Sequence, residues 1–550
     1  MANLTTEIVA RWSTLLENAQ DENGAFLKES SEVIKSLEKQ MKFPNIKIGA
    51  KQAYGKLIVD HLSGAPEKIQ CNILSLLRII CRDDTGLGSL LTQEVCREFM
   101  TIAFPTSSSE NVDAILEAEK CIINSLFHSV VARDVFAESY VDTLLDRVEE
   151  VSHKFTEGDF TEMGNNRYRY LKLFPTGILT QFFFFDLRLC FVVSATQPKV
   201  KIQWTLSEST LATFYRILEF STKPVFTGTA LTKEEDDTAN EALKILYNIV
   251  CGTEFNQYTE TASKCAVLSK QLILNVHILE PTKQNVVNIL YRLDRHIIRF
   301  APKLEKEELE KADPENTYED YDISFPKAIL HGLKDKFDKT PRSESGLLVS
   351  YFAVLHFICR HSKGARRYCR RMVLPPLRAS DVKHRPDEGE TLRAKIIRIM
   401  MNSSSATDMA AEFLFTLCKQ SPGRMMKYCG LGHSAGLFAN KGLFGSLNRV
   451  RNESDSEDSE TDDYKEVQSQ VNPVTGFINP IRENSAWENM SEEQKEYEAM
   501  KMVEAMSKLM DTGVIQPGTI GPDGKPKAVG HVCELLNSQR EHQKDDSDSD

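Results

Sequence analysis

LYNIVCG, Leu246 to Gly252, and VVNILYR, Val286 to Arg292, each set an asparagine inside the same apolar frame, 40 residues apart counted from Asn248 to Asn288. Apolar residues at this spacing describe a helix buried over most of its surface. The frame returns in LLRIICR (Leu76 to Arg82), IINSLFH (Ile122 to His128), VLHFICR (Val354 to Arg360) and FLFTLCK (Phe413 to Lys419), and more loosely in DLRLCFVV (Asp186 to Val193). Its centres are Arg78, Asn124, Asn248, Asn288, His356 and Phe415; four residues later stand Arg82, His128, Gly252, Arg292, Arg360 and Lys419. Positions i and i+4 share one helical face. A repeat of roughly 40 to 47 residues that cannot bury its own apolar face must stack on its neighbours. The expectation is an all-α, armadillo/HEAT-like, right-handed superhelical solenoid over residues 1–440, with insertions at 226–239 and 303–322. The recurring stripe predicts a partner-binding groove of Arg78, Arg82, Asn124, His128, Asn248, Asn288 and Arg292. For Asn248 taken alone, a satisfied core hydrogen bond is the simpler reading.

Composition fits a folded, water-exposed chain: 550 residues, 41% hydrophobic and 27% charged, with a net charge of −12. An acidic balance argues against a general nucleic-acid binder, which needs cations to displace counterions. Twelve cysteines are scattered through apolar runs without zinc spacing and read as reduced core residues of a cytosolic protein. The greasy run GILTQFFFFDLRLCFVV is interrupted by Asp186 and Arg188 and falls short of the roughly 20 residues a bilayer requires. No signal-peptide layout opens the chain. Cytoplasmic placement follows, with recruitment to the cell cortex left open.

Two segments carry dense charge. Cys359 to Arg398 is rich in arginine, which matches carboxylate and phosphate in bidentate fashion. ESDSEDSETDDY, Glu453 to Tyr464, holds seven carboxylates and four Ser/Thr hydroxyls. Ser454 and Ser459 each have an acidic residue three positions on, as kinases of the casein-kinase-II type prefer, and a phosphate adds about −1.5 to −2 charges. Docking of those phosphates on Arg360, Lys363, Arg366 and Arg367 is the expectation, with 441–490 as an acidic, phosphorylatable linker. Beyond it, 491–513 predicts an amphipathic tail helix opened by a Ser491/Gln494 capping box. Its partner-binding stripe is Met502, Val503, Met506, Leu509 and Met510. A disordered acidic terminus is expected over 514–550.

No phosphate-cradling, zinc-hydrolase, nucleophile-elbow or kinase motif occurs. The expectation is a monomeric binding protein that is not an enzyme, with no cofactor and no metal.

Long stretches then carry a resemblance: RHSKGARRYCRRMVLPPLR, GETLRAKIIRIM, AAEFLFTLCKQSPGRMMKYCGLGHSAGLFANKGL, VNPVTGFI and MSEEQKEYEAMKMVEAMSKLMDTGVIQP, in this order. LLRIICRD, EKCIINSLFHS, DLRLCFVV and EALKILYNIV extend it to nearly the whole chain. The chain closely resembles the synembryn family, chaperones and non-receptor guanine nucleotide exchange factors for heterotrimeric G-protein α subunits. The resemblance implies a superhelix that takes the C-terminal helix of a GDP-bound α subunit into its groove, releases GDP and holds the nucleotide-free state. It assigns groove contacts to Arg78, Arg82 and Asn124, phosphorylation to Ser454 and Ser459, and an embrace of the α subunit to the tail helix. The four phenylalanines 182–185 depart from the family pattern and are given no role beyond packing. The alternative is an armadillo-type adaptor that binds peptides without exchange activity.

Overall fold

The computed structural model describes residues 4–17, 23–105, 112–157, 181–339, 342–402, 404–446, 461–478, 491–498, 500–501, 518–520 and 526–528. Helices make up nearly all of it. The strands among the described residues are two short antiparallel pairs, Thr317–Tyr318 with Tyr321–Asp322 and Gly518–Ile520 with Pro526–Ala528. The chain divides into two compact units, Met1–His296 and Ile297–Asp550.

In the first unit the helices form two rows. One row runs Asn23–Leu37, Glu67–Ile80, Val112–His128, Gln181–Thr196, Lys233–Val250 and Thr282–Arg292, each packed on the one before it. The facing row is Thr6–Glu17, Ile48–His61, Gln93–Ala103, Val130–Ser139, Val141–Glu157, Glu208–Thr222 and Glu260–Leu274, again each on its predecessor. Helices of the two rows meet in pairs, for example Glu208–Thr222 on Lys233–Val250. This is the repetitive helical stacking of a solenoid, with its core between the rows.

Local chemistry explains the elements. Glu67–Ile80 buries Ile69, Ile73, Leu76, Leu77 and Ile80, an i, i+4, i+7, i+8, i+11 stripe. Lys233–Val250 starts at a capping box, the Thr232 N–H donating to Glu235 Oε2 at 2.8 Å while Glu235 N–H donates to Thr232 Oγ1 at 3.3 Å. Gln181–Thr196 is apolar round most of its surface, Asp186 and Arg188 apart, as neighbours from both rows pack on it, Val112–His128, Val141–Glu157 and Lys233–Val250 among them. Its Asp186 is fully buried and forms an ion pair with Arg147, 4% exposed, whose guanidinium lies 4.1 Å from the Phe104 ring centre.

In the second unit Val349–His361 packs on Ser324–Lys339, Lys363–Val373 and Thr407–Leu417, and Thr407–Leu417 in turn on Leu431–Lys441. Two features lie outside that stack. The acidic insertion forms a hairpin whose turn residues Glu319 and Asp320 both have positive φ, 48° and 65°, as two-residue hairpin turns require. Residues 461–478 form a strap. Leu431 and Gly432 N–H donate to Pro473 and Val474 carbonyls at 2.9 Å, capping the start of Leu431–Lys441, and Ile478 N–H donates to Val382 O at 2.7 Å.

Candidate partner-binding site

Arg78 and Arg82 were expected on one face, but the helix ends between them and their side chains part. Cys81 is the C-cap, and Arg82 N–H turns to Ile79 O at 3.1 Å in a tightened last turn. Arg82 reaches back to the end of Asn23–Leu37, donating to Glu38 O at 2.6 Å. Arg78 reaches forward: its Nε lies 2.9 Å from Glu117 Oε2 on Val112–His128. Tightening of the last turn leaves the Arg78 carbonyl without an intrahelical partner, and Asn124 Nδ2 supplies one at 2.9 Å. Arg78 and Asn124 are thereby adjacent, and Asn124 Oδ1 makes no hydrogen bond among the described residues. Burial, and then the charge of Arg78, lower the Arg82 pKa.

The other groove residues follow the same row. Asn248 Nδ2 donates to Ser194 Oγ at 2.9 Å and Phe191 O at 3.3 Å, again tying one helix to its predecessor. Asn288 Oδ1 accepts from Gln284 Nε2 at 3.1 Å. His128 is exposed in the last turn of its helix beside Phe127, which is 48% exposed. Arg292 rests 5.6 Å from the Tyr291 ring centre and has no ion pair among the described residues.

Sequence reasoning missed the carboxylates that hold the cations. Glu117 binds Lys120 as well as Arg78, Nζ to Oε1 at 2.6 Å, and Ser75 Oγ donates to it at 3.2 Å. Burial alone would raise the Glu117 pKa, but Lys120 and Arg78 together hold it below the usual carboxylate range. The signal was present: EAEKCIIN at 117–124 recurs as EALKILYN at 241–248.

Of the expected phosphate-docking residues in the second unit, Arg360 and Lys363 are exposed and Arg366 and Arg367 half-buried on or beside the helix Lys363–Val373. Arg367 already has a carboxylate, Glu319 of the acidic hairpin. The same hairpin lays Tyr321 on Gly364 and brings Tyr318 to 5.9 Å from the Arg371 guanidinium. The strap begins close by: Thr461 Oγ1 donates to Leu377 O, and Ala379 N–H donates to Asp463 Oδ2 at 3.0 Å. Tyr464 is 3% exposed, with Lys427 Nζ 5.0 Å from its ring centre. Ser454, Ser459, Met502, Val503, Met506, Leu509 and Met510 lie outside the described residues. The tail's capping box is formed, Gln494 N–H donating to Ser491 Oγ at 3.3 Å and Ser491 N–H to Gln494 Oε1 at 3.2 Å.

Among the described residues no cluster of three His, Cys, Asp or Glu could hold a metal, and no helix is long and apolar enough to cross a membrane. Stacked helices with an ordered row of partly exposed cations and amides define a helical-repeat protein with a candidate binding row. A family profile described as "Guanine nucleotide exchange factor synembryn" matches residues 73–525. "Chaperone ric-8" of Caenorhabditis briggsae is 34% identical, over 96% of this chain and 98% of its own length. Its Caenorhabditis elegans counterpart is 35% identical over 87% and 88%, and "Chaperone Ric-8A" of Danio rerio 29% over 91% and 92%. The chain belongs to the synembryn family. A solved structure from work on cadherin and β-catenin aligns with 82% of this chain and 96% of its own at 11% identity and a TM-score of 0.23, so the fold rests on the observed helix stacking.

Proposed function

We propose that the protein is a guanine nucleotide exchange factor and folding chaperone for heterotrimeric G-protein α subunits, acting by holding the α subunit's C-terminal helix along the row that starts at Arg78, Arg82 and Asn124. Withdrawal of that helix loosens the guanine pocket, GDP leaves, and the nucleotide-free subunit is held until GTP enters. The observation that carries the reading is the pairing of Arg78 and Asn124 on neighbouring helices of one row, the amide tied to the Arg78 backbone carbonyl with its oxygen able to accept an N–H, and the partly exposed guanidinium held at Glu117 on the same helix as Asn124. The C-terminal end of a helical ligand offers free carbonyls and a carboxylate, which a guanidinium recognises. Family membership supplies the exchange and chaperone chemistry.

Phosphorylated Ser454 and Ser459 serve as a latch on Arg360, Lys363, Arg366 and Arg367, written by a casein-kinase-II-type kinase. Support comes from the strap: Thr461, two residues after Ser459, is pinned at Leu377, four residues past the arginine helix. The latch presents the tail helix, with its methionine stripe, to the α subunit.

The test mixes the purified protein with a GDP-loaded inhibitory-class α subunit. Accelerated GDP release and a nucleotide-free complex on size exclusion are expected; neither would appear for a peptide-binding adaptor. Arg78→Glu with Arg82→Glu should abolish both while circular dichroism stays helical. Ser454→Ala with Ser459→Ala should slow exchange by the kinase-treated protein, and an unchanged rate would remove the latch.

A further inference from the structure

The octapeptide that occurs twice builds the same device twice. On Val112–His128, Glu117 is clamped between Arg78 of the preceding helix and Lys120 one turn on, and Asn124 ties the helices together. On Lys233–Val250, Glu241 is clamped between Arg188 of the preceding helix, Nη2 to Oε1 at 3.0 Å, and Lys244 one turn on, at 2.8 Å, and Asn248 ties the helices together. Exposures match: the Arg78 and Lys120 side chains are 20% and 30% exposed, those of Arg188 and Lys244 31% and 30%. Glu241, 2% exposed, is sealed beneath its two cations. Aromatic rings fill the intervals. Lys120 lies 5.8 Å from the Phe185 ring centre, Arg188 5.4 Å from Phe184 and Lys244 5.5 Å from Phe191.

Each clamp has two positive groups and one fixed carboxylate, a net charge of about +1 with several N–H donors still unused. Such a site suits a single carboxylate. A phosphate dianion would be repelled by the buried glutamate, and a nucleic acid would need an unbroken cationic track. The half-buried rings between the clamps offer apolar contact to the same ligand.

We propose that Arg188 and Lys244, held by the positioning residue Glu241, form a second carboxylate-binding station on the row that carries Arg78 and Lys120, and that both stations grip one amphipathic acidic helix. This rests on the groove reading above. The stations are two helix steps apart, about 16–20 Å at 8–10 Å per step. On a ligand helix rising 1.5 Å per residue, that corresponds to carboxylates about 11–13 residues apart.

The probe is the fluorescein-labelled C-terminal peptide of an inhibitory-class α subunit, read by anisotropy at two salt concentrations. Removing only the cations would strand a buried carboxylate, so the main variant neutralises the whole clamp: Arg188→Gln, Glu241→Gln and Lys244→Gln together. It should weaken binding about tenfold, the loss of one charge-assisted contact, and reduce the salt dependence. Glu241→Gln alone can still hydrogen-bond both cations but removes the carboxylate that competes for them, and should bind more tightly than the parent with a steeper salt dependence. A clamp that merely braces the fold would weaken binding in both variants alike, in step with a lowered melting temperature, and the proposal would fall. It falls as well if the triple variant binds like the parent. In that case Arg78→Gln separates the claims: weakened binding there leaves the groove reading standing without its second station, and unchanged binding removes both.

Discussion

Replacing Gly430 by alanine should release one end of the strap. Gly430 joins Pro422–Cys429 to Leu431–Lys441 with φ 77° and ψ 153°, a conformation that side chains avoid at about 1–3 kcal/mol. An added Cβ would sit 2.9 Å from each of Gly476 N, Thr475 C and Val474 O, all backbone atoms of the strap. Crowding of that kind adds roughly 1–3 kcal/mol, for a total of about 2–6 kcal/mol. Three hydrogen bonds hold this end, from Leu431, Gly432 and Ile478 N–H. At about 0.5–1.5 kcal/mol each they contribute about 1.5–4.5 kcal/mol, so the penalty is of the same size as the hold. Amide hydrogen exchange is the assay: protection of Leu431, Gly432 and Ile478 should fall at least about tenfold, a loss of about 1.4 kcal/mol, while Gln181–Thr196 in the other unit keeps its own. Gly436, in the same helix with nothing within 4 Å of where a methyl group would stand, is the control; there alanine should stabilise by about 0.5–1 kcal/mol. Parent-like protection in Gly430→Ala would mean that the two glycines do not interlock.

Arg147→Met strands the fully buried Asp186 and should reduce unfolding free energy by about 3–5 kcal/mol, measured in urea, whereas Arg147→Met with Asp186→Leu should recover most of it. Glu117 keeps its charge below its ordinary 4.5, so its contribution to stability is whole above that pH and is lost as pH falls through the lowered value; Glu117→Gln should flatten the acid limb of a stability–pH curve. Burial holds His356 below its ordinary 6.5, so below that pH the unfolded chain binds a proton the folded one resists. Stability should therefore decline from pH 6.5 downward, and less so in His356→Gln.

The helical class was legible because the apolar frame recurs at one phase, and burial of Leu76, Leu246, Val286 and Phe413 follows from that frame alone. The direction of side chains at the frame's polar positions was not. Arg78 and Arg82 share a face on an ideal helix, yet a tightened turn at Cys81 sends them to different neighbours, a detail of hydrogen bonding that spacing does not carry. Arg367 was legible as a cation in want of an anion, and among the described residues Glu319, 48 residues earlier in the chain, is one anion that it meets. Pairing across a hairpin of positive-φ residues is decided by tertiary packing. The clamps were legible in principle, since EAxKxxxN occurs twice, but only comparison of the chain with itself reveals it.

Three of the asparagine ties run one way, although Asn240 also donates forward to Thr282 Oγ1 at 2.7 Å. Asn72 donates to Ser30 Oγ and the Leu27 carbonyl, Asn124 to the Arg78 carbonyl, and Asn248 to the Phe191 carbonyl, each from a later helix to an earlier one. An acceptor carbonyl loses little when its donor has not yet arrived, because it has water or its own helix for a partner. During synthesis the earlier helix emerges first, so these three donors find their acceptors already in place. Cutting helices from the C-terminal side of the first unit leaves these three donors paired, whereas cutting from the N-terminal side orphans them one after another.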